Sequence, residues 1–519
     1  MEETVRRPIM RGGNLVLRFN TALSLFPSAS FRNKLFYHRM SSSYFVFPEA
    51  EREMISRMYN IDDHRNLFSV YATGGCAKLF EWMFVVPGAS KCIMEAGIPY
   101  STCSLSELVG VKSVVSACSE ETAKLMAEKA FLRTFELLLT ENRPMREISQ
   151  MNVMGLGCTA ALATTRPKKG DHRCHISLYC MEGIHSYSIL LNKEIGDRVN
   201  EDLQCSRVAL LALYDAVKGT KLNQSMQDSY TAHEYKNQAI QSIDYKYTPS
   251  SHYYDNLCNH RTNSALILRQ TTNSGNDGSR YVAVENARLP QGTVVYSGSF
   301  NPMHEGHIQF VKAVLHHIKT GKAKSGEEKM AETTTVHDTP TAPTPLVVFE
   351  LAILNADKPA MPRVELQKRL DYIFSPENTA KLESCGITNF AVSVTNRPLF
   401  LDKSELFSNC IFPVGVDTFI RLLDPKYYNH SEAQMLIGLT RIAARGVRFV
   451  VGGRSVVVGG EGGKKEFQVM EDALRAASIA DPRIPLGETQ FFTSLSEEEF
   501  RVDLSSTELR ARAQSSTAK

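Results

Sequence analysis

The string GSFNPMHEGH, residues 298–307, has the residue types and spacing that best suit chemistry on a phosphate. A β-like run, residues 293–297, precedes it and a helix-like run follows, so we predict a strand-to-helix turn. Gly298 allows the backbone to approach a ligand closely. His304 and His307 lie three residues apart at the helix start and share one face. Helix N-termini attract phosphate and imidazoles donate to the same oxygens, so the string predicts a phosphate site.

A second string, LSSTELR at residues 504–510, predicts a helix start near the end of the sequence. Ser505 and Glu508 have the spacing of a capping box, in which a hydroxyl and a carboxylate cap the first turn. The same turn would also present hydroxyls and Arg510 to a phosphate group. A capped helix and a phosphate cradle are compatible interpretations, and the string alone leaves both open.

Between the two strings, short apolar runs alternate with amphipathic stretches such as residues 362–374. This alternation predicts parallel strands joined by right-handed helical crossovers. Ligands of such sheets bind at the carboxyl ends of the strands, where the first string is expected to lie. The runs predicted as strands are residues 293–297, 346–353, 389–395, 411–416 and 447–451.

Length and composition limit the classes of function that fit. The 519 residues are 43% hydrophobic and 22% charged, as in a soluble globular protein of about two to four domains. The net charge is only +3 and no apolar run is long enough for a membrane span, so neither nucleic acid nor membrane is predicted as a partner. The 11 cysteines include no CxxC pair, which predicts reduced thiols inside the cell. Cys174 lies near His172 and His175, but four well-spaced ligands are not visible and no metal site is predicted.

The predicted architecture is α/β with two domains. The first spans residues 51–221 and the second residues 291–519, joined by a linker at 222–290 that is rich in Ser, Asn, Tyr and Gln. Residues 320–345 have almost no large apolar groups and are predicted to form an exposed loop inserted in the second domain. Residues 1–50 are Arg-rich and poor in acids, so a disordered tail on a cytoplasmic protein and a mitochondrial transit segment both stay open.

The two strings resemble the paired signatures of the HxGH nucleotidyltransferase superfamily, and the second is most similar to its nicotinamide mononucleotide adenylyltransferase branch. The resemblance covers about residues 290–515. It implies a Rossmann-like domain with a parallel sheet that joins ATP to a small phosphorylated acceptor and releases pyrophosphate. It also implies Mg²⁺ bridging the phosphates, with few protein ligands.

The resemblance implies that His304 and His307 contact the triphosphate and stabilise the charged transition state. The other positions that it implies for nucleotide or phosphate binding are Gly298, Ser299, Phe300, Lys358, Gly415, Asp417, Arg454, Ser505, Ser506, Thr507 and Arg510.

One departure leaves the acceptor open. The adenylyltransferase branch commonly stacks the nicotinamide ring on a tryptophan after the GxD segment, whereas Trp82 is the only tryptophan here and lies in the other half. Phe419, Tyr427 or Tyr428 would have to replace it. The leading hypothesis is adenylyl transfer to nicotinamide or nicotinate mononucleotide. The alternatives are cytidylyl or adenylyl transfer to another phosphate, and a non-catalytic nucleotide sensor. The sequence does not decide whether the chain forms a homo-oligomer.

The first half is similar to the C-terminal domain of the competence-damage-inducible (CinA-type) proteins, whose active members deamidate nicotinamide mononucleotide. The order of Thr73-Gly74-Gly75, a helix-like run and Ile98-Pro99-Tyr100 carries this resemblance. The active form has a serine nucleophile where this chain has Tyr71, and a lysine where it has Leu105. Since an amidase of this kind needs a nucleophile and a base, the first half is predicted not to be one.

Overall fold

The computed structural model describes residues 48–60, 66–114, 116–166, 168–194, 196–218, 240–250, 252–270, 280–324, 345–354, 359–458, 464–476, 480 and 490–501. Within these residues no helix combines the length and the apolar character needed to cross a membrane. The chain divides into two compact units, residues 1–53 and 54–519. The described residues of the first unit, 48–53, include the start of helix α1 (Glu49–Tyr59). All strands of the described part lie in the second unit.

The first sheet has six strands, which are β1 (Asn66–Thr73), β2 (Ile93–Gly97), β3 (Asn152–Ala161), β4 (His172–Cys180), β5 (Gly183–Leu191) and β6 (Ile240–Pro249). Their order is β2-β1-β3-β4-β5-β6; β1 pairs in parallel with β2 and β3, and β3 to β6 pair antiparallel. The helices of this part are α2 (Ala77–Val85), α3 (Thr102–Val109), α4 (Glu120–Thr140), α5 (Met145–Ile148) and α6 (Arg198–Lys218), with a 3-10 turn at Ala89–Lys91.

Two glycines allow helix α4 to lie directly on strand β3. A Cβ atom at Gly155 would lie 2.1 Å from the main-chain nitrogen of Phe131, and one at Gly157 would lie 2.3 Å from the main-chain oxygen of Ala123. Both of these neighbours belong to α4, so only glycine permits this approach. Strand β1, next to β3, is buried along its whole length, as expected for a strand covered on both faces.

The second part of the chain contains β7 (Ser264–Gln270), β8 (Arg280–Glu285), β9 (Val294–Ser297), β10 (Val347–Ala352), β11 (Phe390–Thr395), β12 (Ile411–Gly415), β13 (Arg448–Gly452), β14 (Arg454–Val458), β15 (Lys464–Gln468) and β16 (Phe492–Ser494). Its helices are α7 (Tyr253–Cys258), α8 (Glu305–Lys324), α9 (Arg363–Ile373), α10 (Pro376–Ser384), α11 (Phe400–Leu406), α12 (Val416–Leu422), α13 (Glu432–Ala444) and α14 (Met470–Ala476), with a 3-10 helix at Pro425–Tyr428.

Eight of these strands form one sheet in the order β16-β13-β12-β9-β10-β11-β7-β8, and β14 pairs with β15 alone. The six strands from β16 to β11 are parallel, whereas β7 and β8 extend the edge antiparallel. Numbered along the chain, the parallel strands lie in the order 6-5-4-1-2-3, which is that of the doubly wound dinucleotide-binding fold. The α/β prediction with a parallel sheet is therefore confirmed. The five predicted strands are all present, each within one residue of its predicted ends.

The predicted linker at residues 222–290 differs from the structure in its described part. That part contains β6, α7, β7 and β8, so the first sheet extends to residue 249 and the second begins at residue 264. Strand β6 is an edge strand whose side chains are mostly exposed or half-buried. An edge strand exposed in this way has a polar sequence, which explains why its pattern resembles a linker.

Two other predicted segments lie largely outside the described residues. Residues 320–324, placed at the start of the inserted loop, instead continue helix α8, and residues 325–344 are not among those described. The tail or targeting segment predicted at residues 1–50 is outside the described residues up to residue 47.

The two large sheets share one hydrophobic core. The cluster contains Leu138 of α4 and Ile148 of α5 together with Leu266 of β7 and Val284 of β8. The main-chain N–H of Met145 also donates to the side-chain oxygen of an asparagine just before β11, at 2.9 Å. The two sheets are therefore packed together rather than held only by the chain between them.

Candidate functional site

The point where the sheet order reverses lies between β9 and β12. These two strands are neighbours, with Val294 opposite Ile411, although more than a hundred residues separate them in the chain. After their carboxyl ends the chain leaves through Gly298 on one strand and enters α12 from Gly415 on the other. Open α/β sheets bind ligands at such a crevice. Two segments that sequence analysis assigned to nucleotide binding thus leave the sheet from adjacent strands.

The histidine turn, residues 298–307, is shaped by its own aromatic ring. Phe300 has a left-handed backbone (φ 42°) and is buried, with its ring 5.5 Å from that of Phe349 and 5.2 Å from that of His307. A Cβ atom at Gly298 would lie 2.8 Å from the Phe300 ring. The glycine is therefore needed for the packing of this ring. Phe300, predicted to bind nucleotide, has its side chain in the core and positions the turn.

Each of the two histidines of the turn is held through its own ring atom Nδ1. The main-chain N–H of His304 donates to Nδ1 of His307 at 3.1 Å, and that of Gly306 donates to Nδ1 of His304 at 3.2 Å. With Nδ1 accepting, a neutral imidazole carries its hydrogen on Nε2, a tautomer that we assign from these hydrogen bonds. Each ring then has an Nε2–H that can donate to an anion.

Burial keeps both rings neutral near pH 7. It lowers the pKa of His304, and it lowers the pKa of His307 to about 3, with the neighbouring His304 adding to the effect. The ring centroids are 3.7 Å apart. Two imidazolium ions at this distance would repel each other. The turn can therefore act as a pair of neutral hydrogen-bond donors at the start of α8.

An ion pair joins the segments that follow strands β12 and β13. Arg454, which follows β13, donates to Asp417 at the start of α12 at 2.7 Å, and both side chains are about half-exposed. A pair so exposed contributes little to stability, at most about 1 kcal/mol. Gly415, just before α12, would meet no atom within 4 Å if it carried a Cβ, so open space lies above the end of β12. The guanidinium of Arg454 and the open space at the end of β12 suit the binding of a nucleotide.

A cavity of about 790 Å³ opens beside the histidine turn. This volume lies in the usual range for small-molecule sites, about 300–1,000 Å³. Its walls contain five charged side chains from three helices and one strand, with Ser299 and Asn301 from the turn. The five are Glu350, Glu365, Arg369, Lys403 and Arg421. None of these five charged residues was predicted from the sequence.

The charged residues of the wall differ in their partners. Lys403 donates to Glu350 at 2.7 Å, and Thr395 donates to the other carboxylate oxygen. Arg369 donates to the main-chain oxygen of Ser299 at 2.8 Å and so supports the turn. The guanidinium of Arg421 has no hydrogen bond or ion pair with any described residue. A sequence signal for Arg421 was available: it lies four residues after Asp417, on the helix that follows Gly415.

The three aromatic residues considered as replacements for tryptophan are not equivalent. Phe419 is fully buried with its ring 5.0 Å from that of Phe492, and it does not line the cavity. Tyr427 and Tyr428 do line the cavity. The hydroxyl of Tyr428 donates to the main-chain oxygen of Leu422 at 3.0 Å, which fixes its ring. The predicted positions Lys358, Ser505, Ser506, Thr507 and Arg510 lie outside the described residues.

The nucleophile position in the first half is a buried phenol. Tyr71 donates to Glu95, and Arg133 donates to the other oxygen of that carboxylate at 2.8 Å. Burial and the hydrogen bond to Glu95 raise the pKa of Tyr71 well above its usual range. Leu105, at the lysine position, is buried. A phenol that donates to a carboxylate and has a raised pKa is a poor nucleophile.

Comparison with known proteins gives partial similarities. No protein-family model matches the chain. Over 98 residues it is 32% identical to the "Putative nicotinamide mononucleotide adenylyltransferase" of Schizosaccharomyces pombe, an alignment that covers 17% of this chain and 35% of the relative. The chain thus spans about a third of the length of that curated relative.

Solved structures similar to part of the chain come from the competence-damaged (CinA) group. One is a CinA superfamily protein of Klebsiella pneumoniae, with 14% identity and a TM-score of 0.26, covering 33% of this chain and 98% of that one. Another is the competence/damage-inducible protein CihA of Agrobacterium tumefaciens, with 14% identity and a TM-score of 0.24. The match covers 34% of this chain and 95% of that one.

Proposed function

We propose that the chain is an adenylyltransferase that joins ATP to nicotinamide or nicotinate mononucleotide and releases pyrophosphate. The observation that carries the proposal is the histidine turn, with two neutral imidazoles at a helix start beside the reversal point of a doubly wound sheet. The name of the Schizosaccharomyces pombe relative supports the same reaction.

In the proposed reaction an oxygen of the acceptor phosphate attacks the α-phosphorus of ATP in line, and pyrophosphate leaves with the bonding electron pair. No covalent nucleophile is needed, so positioning and charge stabilisation supply most of the rate. The Nε2–H groups of His304 and His307 would donate to phosphate oxygens as negative charge collects on the leaving group. Because their Nδ1 atoms are fixed by main-chain N–H groups, the rings need little reorganisation.

Mg²⁺ would neutralise charge on the phosphates during this reaction. It prefers oxygen ligands and usually keeps several waters, so it needs few protein ligands. Two nearby carboxylates already have cationic partners, Asp417 with Arg454 and Glu350 with Lys403. The residues present therefore suit an ion held mainly by the phosphates of ATP.

The acceptor would occupy the cavity beside the turn. Tyr427 and Tyr428 offer aromatic faces for a pyridine ring, in place of the tryptophan common in the resembled branch. Arg421, which has no partner among the described residues, offers a guanidinium for the acceptor phosphate. This proposal makes the missing tryptophan a substitution within the same site.

The test is pyrophosphate release by the full chain with Mg²⁺, offering ATP or CTP with nicotinamide mononucleotide, nicotinate mononucleotide or phosphopantetheine. We expect release with ATP and a pyridine mononucleotide. His307→Ala should abolish it, whereas His316→Ala, an exposed histidine on the same helix, should not. ATP binding without release for any acceptor would reject the proposal in favour of a nucleotide sensor, and release only with CTP or phosphopantetheine would reassign the acceptor.

A further inference from the structure

Three cysteines that are far apart in the sequence meet beside the first sheet, and a fourth lies next to them. They are Cys76 before α2, Cys158 on β3, Cys174 on β4 and Cys205 on α6, and all four are fully buried. Neither the proposed nucleotidyl transfer nor the altered amidase position uses them. No metal site was predicted from the sequence, because no four well-spaced ligands are visible around Cys174.

The sulfur atoms face one another. Sγ of Cys158 lies 2.7 Å from Sγ of Cys76 and 3.6 Å from Sγ of Cys174, and these three sulfur atoms all lie within 4.8 Å of one another. Cys205 neighbours Cys174 but is not one of the three sulfur atoms that lie within 4.8 Å of one another. A buried cysteine usually packs as a small hydrophobic residue whose neighbours are carbon atoms. Here the nearest partners are other thiols, which are weak donors and weak acceptors.

The backbone at Cys76 is held in a costly conformation to reach this position. It has φ 62° and ψ 31°, a left-handed conformation that is uncommon for a residue with a Cβ. Cys76 stands at the N-cap of α2, yet its side chain makes no cap hydrogen bond. Backbone strain of this kind persists where the surroundings require it.

A carboxylate supplies the missing cap instead. Asp202 of α6 accepts hydrogen bonds from the main-chain N–H groups of Ala77 and Lys78, at 3.0 and 3.1 Å. Cys205 follows Asp202 by three residues and so lies on the same side of α6. The thiol of Cys76 is thereby free of any capping role, and the same helix that caps α2 places the buried thiol of Cys205 next to Cys174.

His172 and His175, which flank Cys174 on β4, have other partners. Nδ1 of His172 lies 2.6 Å from a carboxylate oxygen of Glu201, and Nδ1 of His175 lies 2.9 Å from the hydroxyl of Ser188. The cluster therefore offers sulfur ligands alone. Sulfur ligands in this number select soft metal ions, and four thiolates around one ion are typical of structural zinc sites.

We propose that Cys76, Cys158 and Cys174, with the Cys205 side chain turning in as the fourth ligand, bind one Zn²⁺ ion as a structural site. Each thiol loses a proton to solvent as its sulfur bonds to zinc, so binding one ion releases four protons and involves no oxidant. The site would fasten the turn after β1 to β3, β4 and α6. That turn begins just after Tyr71 on β1, so the site would stabilise this part of the first sheet independently of any chemistry at Tyr71.

The first test is metal analysis of the full chain, purified in reductant without chelator. We expect about one zinc ion per chain, released when a mercurial reagent modifies the thiols. Cys158→Ala should lose most of the zinc. Cys180→Ala, which removes another buried cysteine from the same strand as Cys174, should retain it. Zinc that persists in Cys158→Ala would overturn the proposal.

A second measurement covers the case in which Cys158→Ala fails to fold. Wild-type protein stripped by a chelator in reductant is titrated with Co²⁺, and a sulfur-to-cobalt charge-transfer band at one equivalent would support the site. Zinc should raise the thermal midpoint of the stripped protein, and Mg²⁺ should not. Absence of the band together with no zinc in the purified chain, or the mass loss of a disulfide between Cys76 and Cys158, would overturn the proposal.

Discussion

Lys403 and Glu350 form an ion pair of 2.7 Å in the wall of the cavity, although only 7% of the lysine side chain and 1% of the glutamate side chain are exposed. The pair joins α11 to β10, and Thr395 on β11 donates to the same carboxylate. A buried charge is tolerated only with such partners. The pair therefore neutralises both charges in this part of the cavity wall, and it holds α11 against β10.

Removing the lysine alone should destabilise the chain strongly. Lys403→Met leaves Glu350 buried without a cation, so we expect the free energy of unfolding to fall by about 3–5 kcal/mol. The double variant Lys403→Met, Glu350→Gln should recover much of that loss, because the glutamine still accepts from Thr395. Urea unfolding of the wild type and both variants measures the free energy of unfolding of each. A double variant no more stable than Lys403→Met would show that the lysine acts through packing alone.

His307→Ala should separate catalysis from folding. Loss of one preorganised donor typically lowers turnover by about 100- to 1,000-fold. The variant should stay folded with a lower unfolding midpoint, because the His307 ring packs against Phe300 and its Nδ1 accepts from the main chain of His304. The comparison is kcat/KM for His307→Ala against His316→Ala, each with its own unfolding curve. Equal losses in the two variants, or an unfolded His307→Ala, would argue against a specific role of the turn.

The pH dependence of stability should reveal the neutral imidazole. In the unfolded chain a histidine takes up a proton below about pH 6.5, whereas the pKa of folded His307 is lowered to about 3. Between these values the unfolded state binds more protons, so stability falls as the pH falls. From about pH 7 to pH 5 we expect a loss of about 2 kcal/mol from this residue.

His307→Gln provides the comparison for this pH dependence. The glutamine does not titrate, so the stability of the variant should depend less steeply on pH in denaturant unfolding at each pH. If stability depended on pH with the same slope in wild type and His307→Gln, His307 would bind as many protons in the folded state as in the unfolded state. The expected lowering of its pKa would then be wrong.

The sequence predicted the parallel sheet well because its strands are buried on both faces and appear as short apolar runs. The edge strand β6, with the sequence IQSIDYKYTP, was assigned to a linker because its exposed side chains break that pattern. The shared core of the two sheets was also missed. Leu138 and Val284 look like ordinary core residues in the sequence, and nothing in the spacing tells which sheet each will face.

The same limit applies to the candidate site. His304 and His307 are local in sequence and could be predicted from a ten-residue string. Arg421 and Lys403 line the cavity only because α12 and α11 reach it from different strands, which depends on the strand order. The prediction that Phe300 binds nucleotide stays a prediction; its ring is buried and its backbone is left-handed, neither of which the residue type predicts.

The first domain should not deamidate nicotinamide mononucleotide. Tyr71 donates to Glu95 and its pKa is raised by burial and that hydrogen bond, so no thermally accessible phenolate is available to attack an amide. We expect no ammonia from the full chain, and none from Tyr71→Phe. Tyr71→Phe should lose about 1 kcal/mol of stability, because one hydrogen bond to the Glu95 carboxylate is removed while that from Arg133 remains. Ammonia release by wild type that disappears in Tyr71→Phe would instead make the phenol a working nucleophile.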